Sequence, residues 1–176
     1  MGRPRKPRPP KEHWAHLREL GLSRYDVSDQ GNLRSHFTTL KLSVARVGMV
    51  APNVFLYDDD DKESTRSLPR LVASQFVEGF DDLNNTPIHL NGLKGDCRAV
   101  NLMWRPLWYA RLYHEQWEGY RPPYIPDPIM NVRTMEIYGN AREASQQLGV
   151  LELDIFNSIH DHVPTRLTNQ LYKYVD

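Results

Sequence analysis

The sequence predicts an α+β protein with a small antiparallel sheet, a β-hairpin packed on a helix, and a C-terminal pair of helices. Three observations lead to this fold class. Short strand-like segments flank a turn in "RYDVSDQGNLRS", a strand–turn–strand–helix pattern begins near residue 53, and two helical patterns, the first of them with a cap, lie near the C-terminus.

The first two patterns define the N-terminal part. Tyr25, Val27 and Leu33 fit short strands, and Gly31 is placed to take the positive φ of the turn between them. In "NVFLYDDDDKESTRSLPRLVASQFV" the acidic run at residues 58–63 reads as a solvated hairpin loop. The apolar spacing that follows it predicts a helix.

The next segment, "TPIHLNGLKGDCRAVNLMW", holds one histidine, a turn-forming Asn-Gly, and an Asn-Leu that precedes a tryptophan. "PLWYARLYHEQWEGY" then predicts a helix, which the prolines of "RPPYIPDPI" break. We place a linker at residues 121–128.

The C-terminal pattern, residues 129–176, predicts a helix-turn-helix. Asn140 can cap a helix, with Glu143 as its reciprocal partner, and Gly149 ends that helix. Ile155 and Ile159 lie on the apolar face of a second helix.

Composition narrows the function classes. The chain has 176 residues and 40% hydrophobic content, which suits one ordinary domain or two very small ones. Its apolar runs are too short to span a bilayer, and the basic N-terminus lacks the apolar stretch of a signal peptide. The single cysteine, Cys97, excludes an internal disulfide. We therefore expect no membrane partner and a reducing, cytoplasmic location.

Charge is unevenly distributed along the chain. Residues 1–11 carry five basic side chains and no acid, whereas the remainder carries 17 basic and 22 acidic residues. This Pro-rich segment predicts a disordered arm, and "GRPRKPRP" resembles an AT-hook, which lies in the minor groove of A·T-rich DNA. A generic phosphate-binding or solubilising tail is the alternative, and both interpretations stay open. The arm residues expected to contact DNA are Arg3, Arg5, Lys6 and Arg8.

Three motifs in one order resemble phage- and intron-encoded HNH homing endonucleases. "YDVSDQGNLRS" is similar to the motif that opens many of these enzymes, and "RLVASQFV" with "IHLNGLKGDCRAVNLMW" is similar to their HNH core. The C-terminal pattern is similar to the small helix-turn-helix module that they often carry. The resemblance implies that residues 12–120 form an HNH domain containing a ββα-metal finger, and that the protein is phage-encoded and works in a bacterial host cell.

The resemblance also assigns roles to individual residues. In this family a histidine is the general base on the attacking water, and one divalent metal stabilises the scissile phosphate. His89 matches the base, and Asn101 matches the asparagine that orients the finger. Gly92 and Trp104 match the turn glycine and the core tryptophan.

The metal positions do not match the family pattern. They fall on Ile88 and Ala110, whose side chains offer no oxygen. Asn91, Asp96 or His114 could form an improvised site, but nothing in their spacing recommends one. The resemblance therefore predicts a degenerate finger with no metal cofactor, with His89 and Asn101 retained but non-functional; Mg²⁺ is the cofactor expected if the site is active. A structural role for His89 is the simpler interpretation.

Residues outside the arm also suggest DNA contacts. Arg98, Arg105 and Arg111 lie near the finger and could meet phosphates, and Asn157 and Ser158 on the second helix could read base edges. Ordinary surface residues are the alternative.

The charge of the second helix argues against DNA binding. Glu152, Asp154 and Asp161 lie on it, and residues 150–162 include no lysine or arginine, whereas a recognition helix approaches dense phosphate. The helix pair could instead pack on the body or on another protein.

Three functions follow from these observations. The first is a non-catalytic protein that binds double-stranded DNA. The second is a metal-dependent endonuclease or nickase with His89 as the base and relocated ligands. The third is a protein-interaction factor that binds a host or phage component of transcription, replication or the virion.

Overall fold

A computed structural model describes residues 11–37, 41–42, 52–119 and 124–175 of the chain. They form an α+β arrangement of small antiparallel sheets and four α-helices, as predicted. The elements in chain order are β1 (Trp14–His16), β2 (Tyr25–Ser28), β3 (Leu33–Ser35), β4 (Lys41–Leu42), β5 (Asn53–Tyr57), β6 (Glu63–Ser67), α1 (Leu68–Phe76), β7 (Thr86–His89), β8 (Leu102–Arg105), α2 (Leu107–Glu118), β9 (Ile129–Asn131), β10 (Ile137–Tyr138), α3 (Ala141–Leu148), α4 (Glu152–His160) and β11 (Tyr172–Tyr174).

The N-terminal sheet has the order β1–β2–β3–β4, with every neighbouring pair antiparallel. The predicted turn between β2 and β3 is present: Gly31 has a φ of 77°, and its N–H donates to the Ser28 carbonyl at 3.0 Å. Val27 and Leu33 are fully buried on the core side of this sheet. The strand and turn predictions here are confirmed.

The second predicted pattern is also confirmed. β5 and β6 pair antiparallel from Asn53↔Ser67 to Tyr57↔Glu63, and the acidic run closes the hairpin. α1 starts directly after β6 and buries one face, with Leu71, Val72 and Ala73 in the core.

The finger predicted from residues 86–118 is a two-stranded sheet and a helix. β7 pairs with β8 in a register that places His89 opposite Leu102, and α2 packs against β7. Trp104 on β8 is buried and donates its indole N–H to the Val77 carbonyl at 3.0 Å. This bond ties the finger to the segment that follows α1.

The first C-terminal helix, α3, has the predicted ends. Asn140 accepts a hydrogen bond from the Glu143 N–H at 2.8 Å, and the Glu143 carboxylate in return accepts from the N–H of Gly139. Gly149 ends α3 in the left-handed conformation, with a φ of 60°. The sequence pattern missed the three-stranded sheet β10–β9–β11, which packs against both helices.

Buried side chains form three clusters. One fills the space between the N-terminal sheet, the β5–β6 hairpin, α1 and β8, and a second lies between α3, α4 and the C-terminal sheet. The third joins the finger to the helix pair and is small; its fully enclosed members are Ile88, Tyr109, Ala110, Tyr113 and Leu151.

The predicted linker at 121–128 is only partly described, because residues 120–123 lie outside the described ranges. Ile125, within it, is buried in the C-terminal cluster, and its carbonyl accepts the N–H of Ala141. Ile125 is thus packed, whereas Tyr124 and residues 126–128 are exposed, and the placement of the linker stays a prediction. Among the described residues, no helix is long and apolar enough to cross a membrane.

A substitution at Leu151 tests how much the third cluster contributes to stability. Leu151→Ala removes a buried side chain that contacts the finger, so we expect the free energy of unfolding to fall by about 3 kcal/mol. Leu153→Ala, two residues away at a half-buried position, serves as the matched control and should cost about 1 kcal/mol. Urea unfolding measures both variants, and equal losses would show that the third cluster contributes little.

Candidate functional site

Asn101 fixes the loop that connects the two strands of the finger. Its side-chain oxygen accepts the N–H of Asn91 at 2.9 Å, and its amide donates to the Asp96 carbonyl at 2.8 Å. Asn101 is itself buried, so neither group has water as an alternative partner. One side chain thus holds both ends of the loop against β8.

Gly92 provides the turn that follows His89. Its φ is 76°, and its N–H donates to the His89 carbonyl at 2.9 Å. A Cβ at this position would lie 2.5 to 2.9 Å from atoms of the Trp117 indole on α2. Glycine is therefore required by the backbone conformation and by the neighbouring helix together.

His89 lies at the end of β7 and is buried, with 1% of its surface exposed. Its Nδ1 is 3.4 Å from Nε2 of His114, which also accepts the backbone N–H of His89. The other ring nitrogen, Nε2, is buried without a hydrogen-bond partner. A general base needs the proton of the attacking water within reach, and here the free nitrogen has no access to solvent.

Burial sets the protonation of this histidine pair. Loss of solvation lowers the pKa of His89 to about 4, with the neighbouring His114 adding to the effect. Burial is also the main reason that the pKa of His114 falls to about 4. Both rings are neutral at pH 7.

The positions that the resemblance gives to metal ligands are apolar in structure as well as in sequence. Ile88 and Ala110 are buried in the third cluster beside Leu151. A Cβ on Gly149, in the turn between α3 and α4, would be 3.1 Å from Cδ1 of Ile88. The helix pair therefore packs directly on the face of the finger that carries these two positions.

The nearby polar residues do not fit a hard divalent cation either. The carboxylate of Asp96 accepts hydrogen bonds from Asn91 at 2.9 Å and from Arg98 at 2.7 and 2.6 Å, and Arg98 chiefly holds the pKa of that carboxyl below its usual range. In the described ranges, the one group of three His, Cys, Asp or Glu side chains close enough to share a metal lies in the N-terminal sheet, away from His89. In this arrangement the described residues around His89 do not fit a hard divalent cation.

The three arginines near the finger that were predicted to contact phosphate differ in how free their side chains are to do so. Arg98 is exposed and paired with Asp96. Arg111 is exposed and has no ion-pair partner among the residues that the structure describes. Arg105 is half-buried and donates to the carbonyls of Leu148 and Gly149 at the end of α3. It therefore caps a helix, which corrects its predicted role in phosphate contact.

The two residues of α4 that were predicted to read base edges differ in their exposure to solvent. Ser158 is fully buried, and its hydroxyl oxygen accepts the N–H of Tyr172 at 2.9 Å, so the prediction that it reads base edges is wrong. Asn157 is half-buried and stays a candidate. The arm residues Arg3, Arg5, Lys6 and Arg8 lie outside the described residues.

The acidic residues of α4 do not face solvent as the sequence suggested. Glu152 is buried and paired with Arg142 at 2.9 Å, and Asp154 is buried and paired with Arg166 at 2.7 Å. Both arginines are partly exposed, so the surface beside α4 carries positive groups that the helix sequence alone does not reveal. Each buried acid is neutralised by its arginine, so these two residues do not present negative charge to DNA as the sequence suggested; Asp161 alone of the three acids is exposed.

Sequence reasoning did not anticipate the pairing of His114 with His89. The available signal was helical spacing, because His114 lies one turn after Ala110 and so shares its face of α2. Arg142 was missed because its partner Glu152 lies on the other helix of the pair.

Comparison with known proteins gives one sequence match and one structural match. Over 94 residues, 53% of this chain, the sequence is 35% identical to an uncharacterized HNH endonuclease of Acanthamoeba polyphaga mimivirus. The chain spans only 23% of that protein's length. No protein-family model matches the sequence. A solved structure of DNA binding and cleavage by the HNH homing endonuclease I-HmuI overlays with a TM-score of 0.48 and 17% identity, covering 93% of this chain and 98% of that one.

Gly92→Ala tests the loop geometry. It adds a left-handed non-glycine residue and a clash with Trp117, so we expect a loss of about 2 kcal/mol or more in the free energy of unfolding. Gly21→Ala is the matched control, because Gly21 has a φ of 69° but nothing within 4 Å of its added Cβ. That control should lose only about 1 kcal/mol, and identical losses would mean that the Trp117 contact is unimportant.

The neutral histidine pair predicts a pH dependence. Since the pKa of each ring is depressed in the folded state, their contribution to stability is complete above pH 6.5 and is lost as the pH falls toward about 4. We expect the free energy of unfolding to fall by about 2 to 4 kcal/mol between pH 7 and pH 5.

Urea unfolding of wild type and of the double variant His89→Gln/His114→Gln measures this dependence. The double variant should lose most of it, whereas His162→Asn, which removes an exposed histidine from a left-handed position that asparagine tolerates, should keep it. The same slope in all three proteins would contradict the assignment.

Proposed function

We propose that this chain is a double-stranded DNA-binding protein of the HNH endonuclease type whose finger does not cleave DNA. The similarity to an HNH endonuclease over 94 residues supports the type. Because the match spans a minor part of that relative, the activity and the substrate of this chain rest on the site.

The observation that carries the proposal is the sealed environment of His89. Its free nitrogen is buried, and the two positions that would hold metal ligands are occupied by Ile88 and Ala110 in an apolar cluster. Phosphodiester hydrolysis at an HNH finger needs a base, a water and a metal together. A buried neutral histidine beside apolar side chains supplies only the first, and supplies it where water does not reach.

DNA binding rests on the distribution of positive charge. Arg111 is exposed near the finger and has no ion-pair partner among the described residues, whereas the exposed or partly exposed Arg98, Arg142 and Arg166 each pair with an acid. The basic arm adds residues that suit phosphate or the minor groove. In this proposal the finger docks against the DNA, and the arginines and the arm contact the sugar-phosphate backbone of the DNA.

A second candidate is an active nickase with His89 as general base. The observation that favours it is the unpaired Nε2 of His89, since buried polar atoms without partners are rare in folded proteins. Activity would require the helix pair to move away from Ile88 and Ala110 on DNA binding, so that a divalent metal such as Mg²⁺ could enter. A role through a host or phage protein partner, the phage origin and the bacterial cytoplasmic location all stay predictions.

A supercoiled-plasmid assay with Mg²⁺ or Mn²⁺ separates the two candidates. We expect no nicking by wild type above that of His89→Ala, because the base is buried and metal ligands are missing at the finger. Nicking by wild type that disappears in His89→Ala would overturn the proposal and establish the nickase.

Salt dependence of duplex binding tests the DNA contacts. We expect binding measured by fluorescence anisotropy to weaken steeply with salt. Replacing Arg3, Arg5, Lys6 and Arg8 by glutamine should reduce the slope of log Kobs against log salt by about 3 to 4, close to one unit for each lost phosphate contact. Arg105→Gln, which alters a helix cap, is the control and should leave the slope unchanged if the variant stays folded. Duplex binding that is absent at low salt would contradict the proposal.

A further inference from the structure

A polar cluster lies on the side of the N-terminal sheet that faces away from the core. His16 on β1 and Arg34 on β3 are each directly opposite Asp26 on β2, so all three side chains project from one face. His36 comes two residues after Arg34 and shares this face by the strand period. Three neighbouring strands therefore bring two imidazoles, a carboxylate and a guanidinium together.

The distances within this cluster are short. Nδ1 of His16 and Nε2 of His36 lie 2.6 and 2.8 Å from the same carboxylate oxygen, Oδ1 of Asp26. The three potential ligand atoms lie within 4.8 Å of one another. The imidazole rings meet edge to face, with centroids 5.4 Å apart.

Asp26 is the fixed member of the cluster. It is 1% exposed, and its second oxygen accepts from Nε and Nη2 of Arg34 at 2.8 and 2.7 Å. Trp14 stacks on the Arg34 guanidinium, 4.3 Å from the ring centroid, and so keeps it in place. Burial alone would raise the pKa of Asp26, but the hydrogen bonds from Arg34 and His36 hold it below its ordinary value. The group is a carboxylate at neutral pH.

The imidazole rings of His16 and His36 have room to move. The side chain of His16 is 72% exposed and that of His36 is 36% exposed. Each can therefore shift by a few tenths of an ångström without disturbing the core. Ligand atoms on a tetrahedral Zn²⁺ lie about 3.3 Å apart, given metal–ligand bonds of about 2.0 Å. The rings reach that spacing from Oδ1 by moving outward about 0.5 to 0.7 Å from their present 2.6 and 2.8 Å.

We propose that His16, Asp26 and His36 form a Zn²⁺ site that fastens β1, β2 and β3 together. Two imidazole nitrogens and one carboxylate oxygen suit Zn²⁺ and related transition metals better than Mg²⁺. A neutral ring coordinates the metal through the nitrogen that faces Oδ1, and its one proton then lies on the other ring nitrogen. The solvent side, where both rings are exposed, leaves the fourth position to water.

The metal links residues of paired strands and so stabilises the sheet. Arg34 supports the coordinating carboxylate from behind through its second oxygen, as outer residues do in metal sites. The site is separate from the finger, and it stands whether or not the proposed function is correct. Its ligands are two imidazoles and one carboxylate, whereas the Mg²⁺ expected at an active finger would be bound by oxygen ligands.

The test is a titration of the full-length, EDTA-treated protein with Zn²⁺, followed by calorimetry, and with Co²⁺, followed by visible absorption. We expect one Zn²⁺ per chain, a Co²⁺ spectrum typical of tetrahedral coordination, and a higher melting temperature with Zn²⁺ than in EDTA. Mg²⁺ at the same concentration should give none of these signals.

Variants locate the site. His16→Gln and His36→Gln should each weaken Zn²⁺ binding about tenfold or more, and both should melt at about the wild-type temperature in EDTA because the replaced rings are exposed. His13→Gln is the matched control: it removes an exposed histidine of the same segment, which pairs with Asp29 outside the cluster, and should bind Zn²⁺ as wild type does. His114→Gln should also bind normally. No saturable Zn²⁺ binding, binding unchanged in His16→Gln and His36→Gln, or binding lost in His114→Gln would each overturn the proposal.

Discussion

The contact between the finger and the C-terminal helix pair decides how the rest of this molecule is arranged. It is made by a few buried side chains, with Ile88 and Ala110 on one side and Leu151 on the other. Polar groups surround it: Arg105 caps α3, the Tyr109 hydroxyl accepts the N–H of Leu151, and the Gln116 side chain accepts that of Glu152. Apolar burial provides the stabilisation, and these hydrogen bonds fix the orientation.

The interactions that shape the finger are made by its own side chains and its neighbours. Asn101 and Gly92 still shape the loop, and Trp104 still anchors β8, because those interactions depend on backbone geometry and packing alone. Oxygen ligands at positions 88 and 110 would have to be buried against Leu151, where unpaired polar groups are costly. An apolar interface and a hydrated metal site are therefore alternatives at this face, and the sequence of this chain encodes the interface.

The N-terminal sheet has a different organisation on its outer face. Asp26 is buried by polar neighbours, with Arg34 and two histidines placed around it by strand register. The Asp26 carboxylate pairs with Arg34 and the two histidines. Together with the two imidazoles, it also provides the ligand types that a transition metal prefers. The cluster on this sheet and the finger are thus built from different residues.

Local patterns predicted much of the fold. The β2–β3 turn, the β5–β6 hairpin, α1, α2 and the capped α3 all follow from short-range spacing and from turn residues. The C-terminal sheet did not, since β10 has two residues and β9 and β11 have three, too few to show alternation. The roles of Arg105, Ser158 and Glu152 were also inaccessible, because each depends on a partner from a distant element. Sequence shows which ligands the finger lacks, but the side chains that fill the space become visible only in three dimensions.

The most direct test of the sealed finger is a nitrogen-15 NMR spectrum of the histidine rings during a Mn²⁺ titration. Paramagnetic Mn²⁺ broadens the signals of nuclei close to it. The sealed site predicts that the ring signals of His89 and His114 stay sharp at stoichiometric Mn²⁺, with or without duplex DNA. Selective broadening of the His89 ring would place a metal at the finger and would contradict the account.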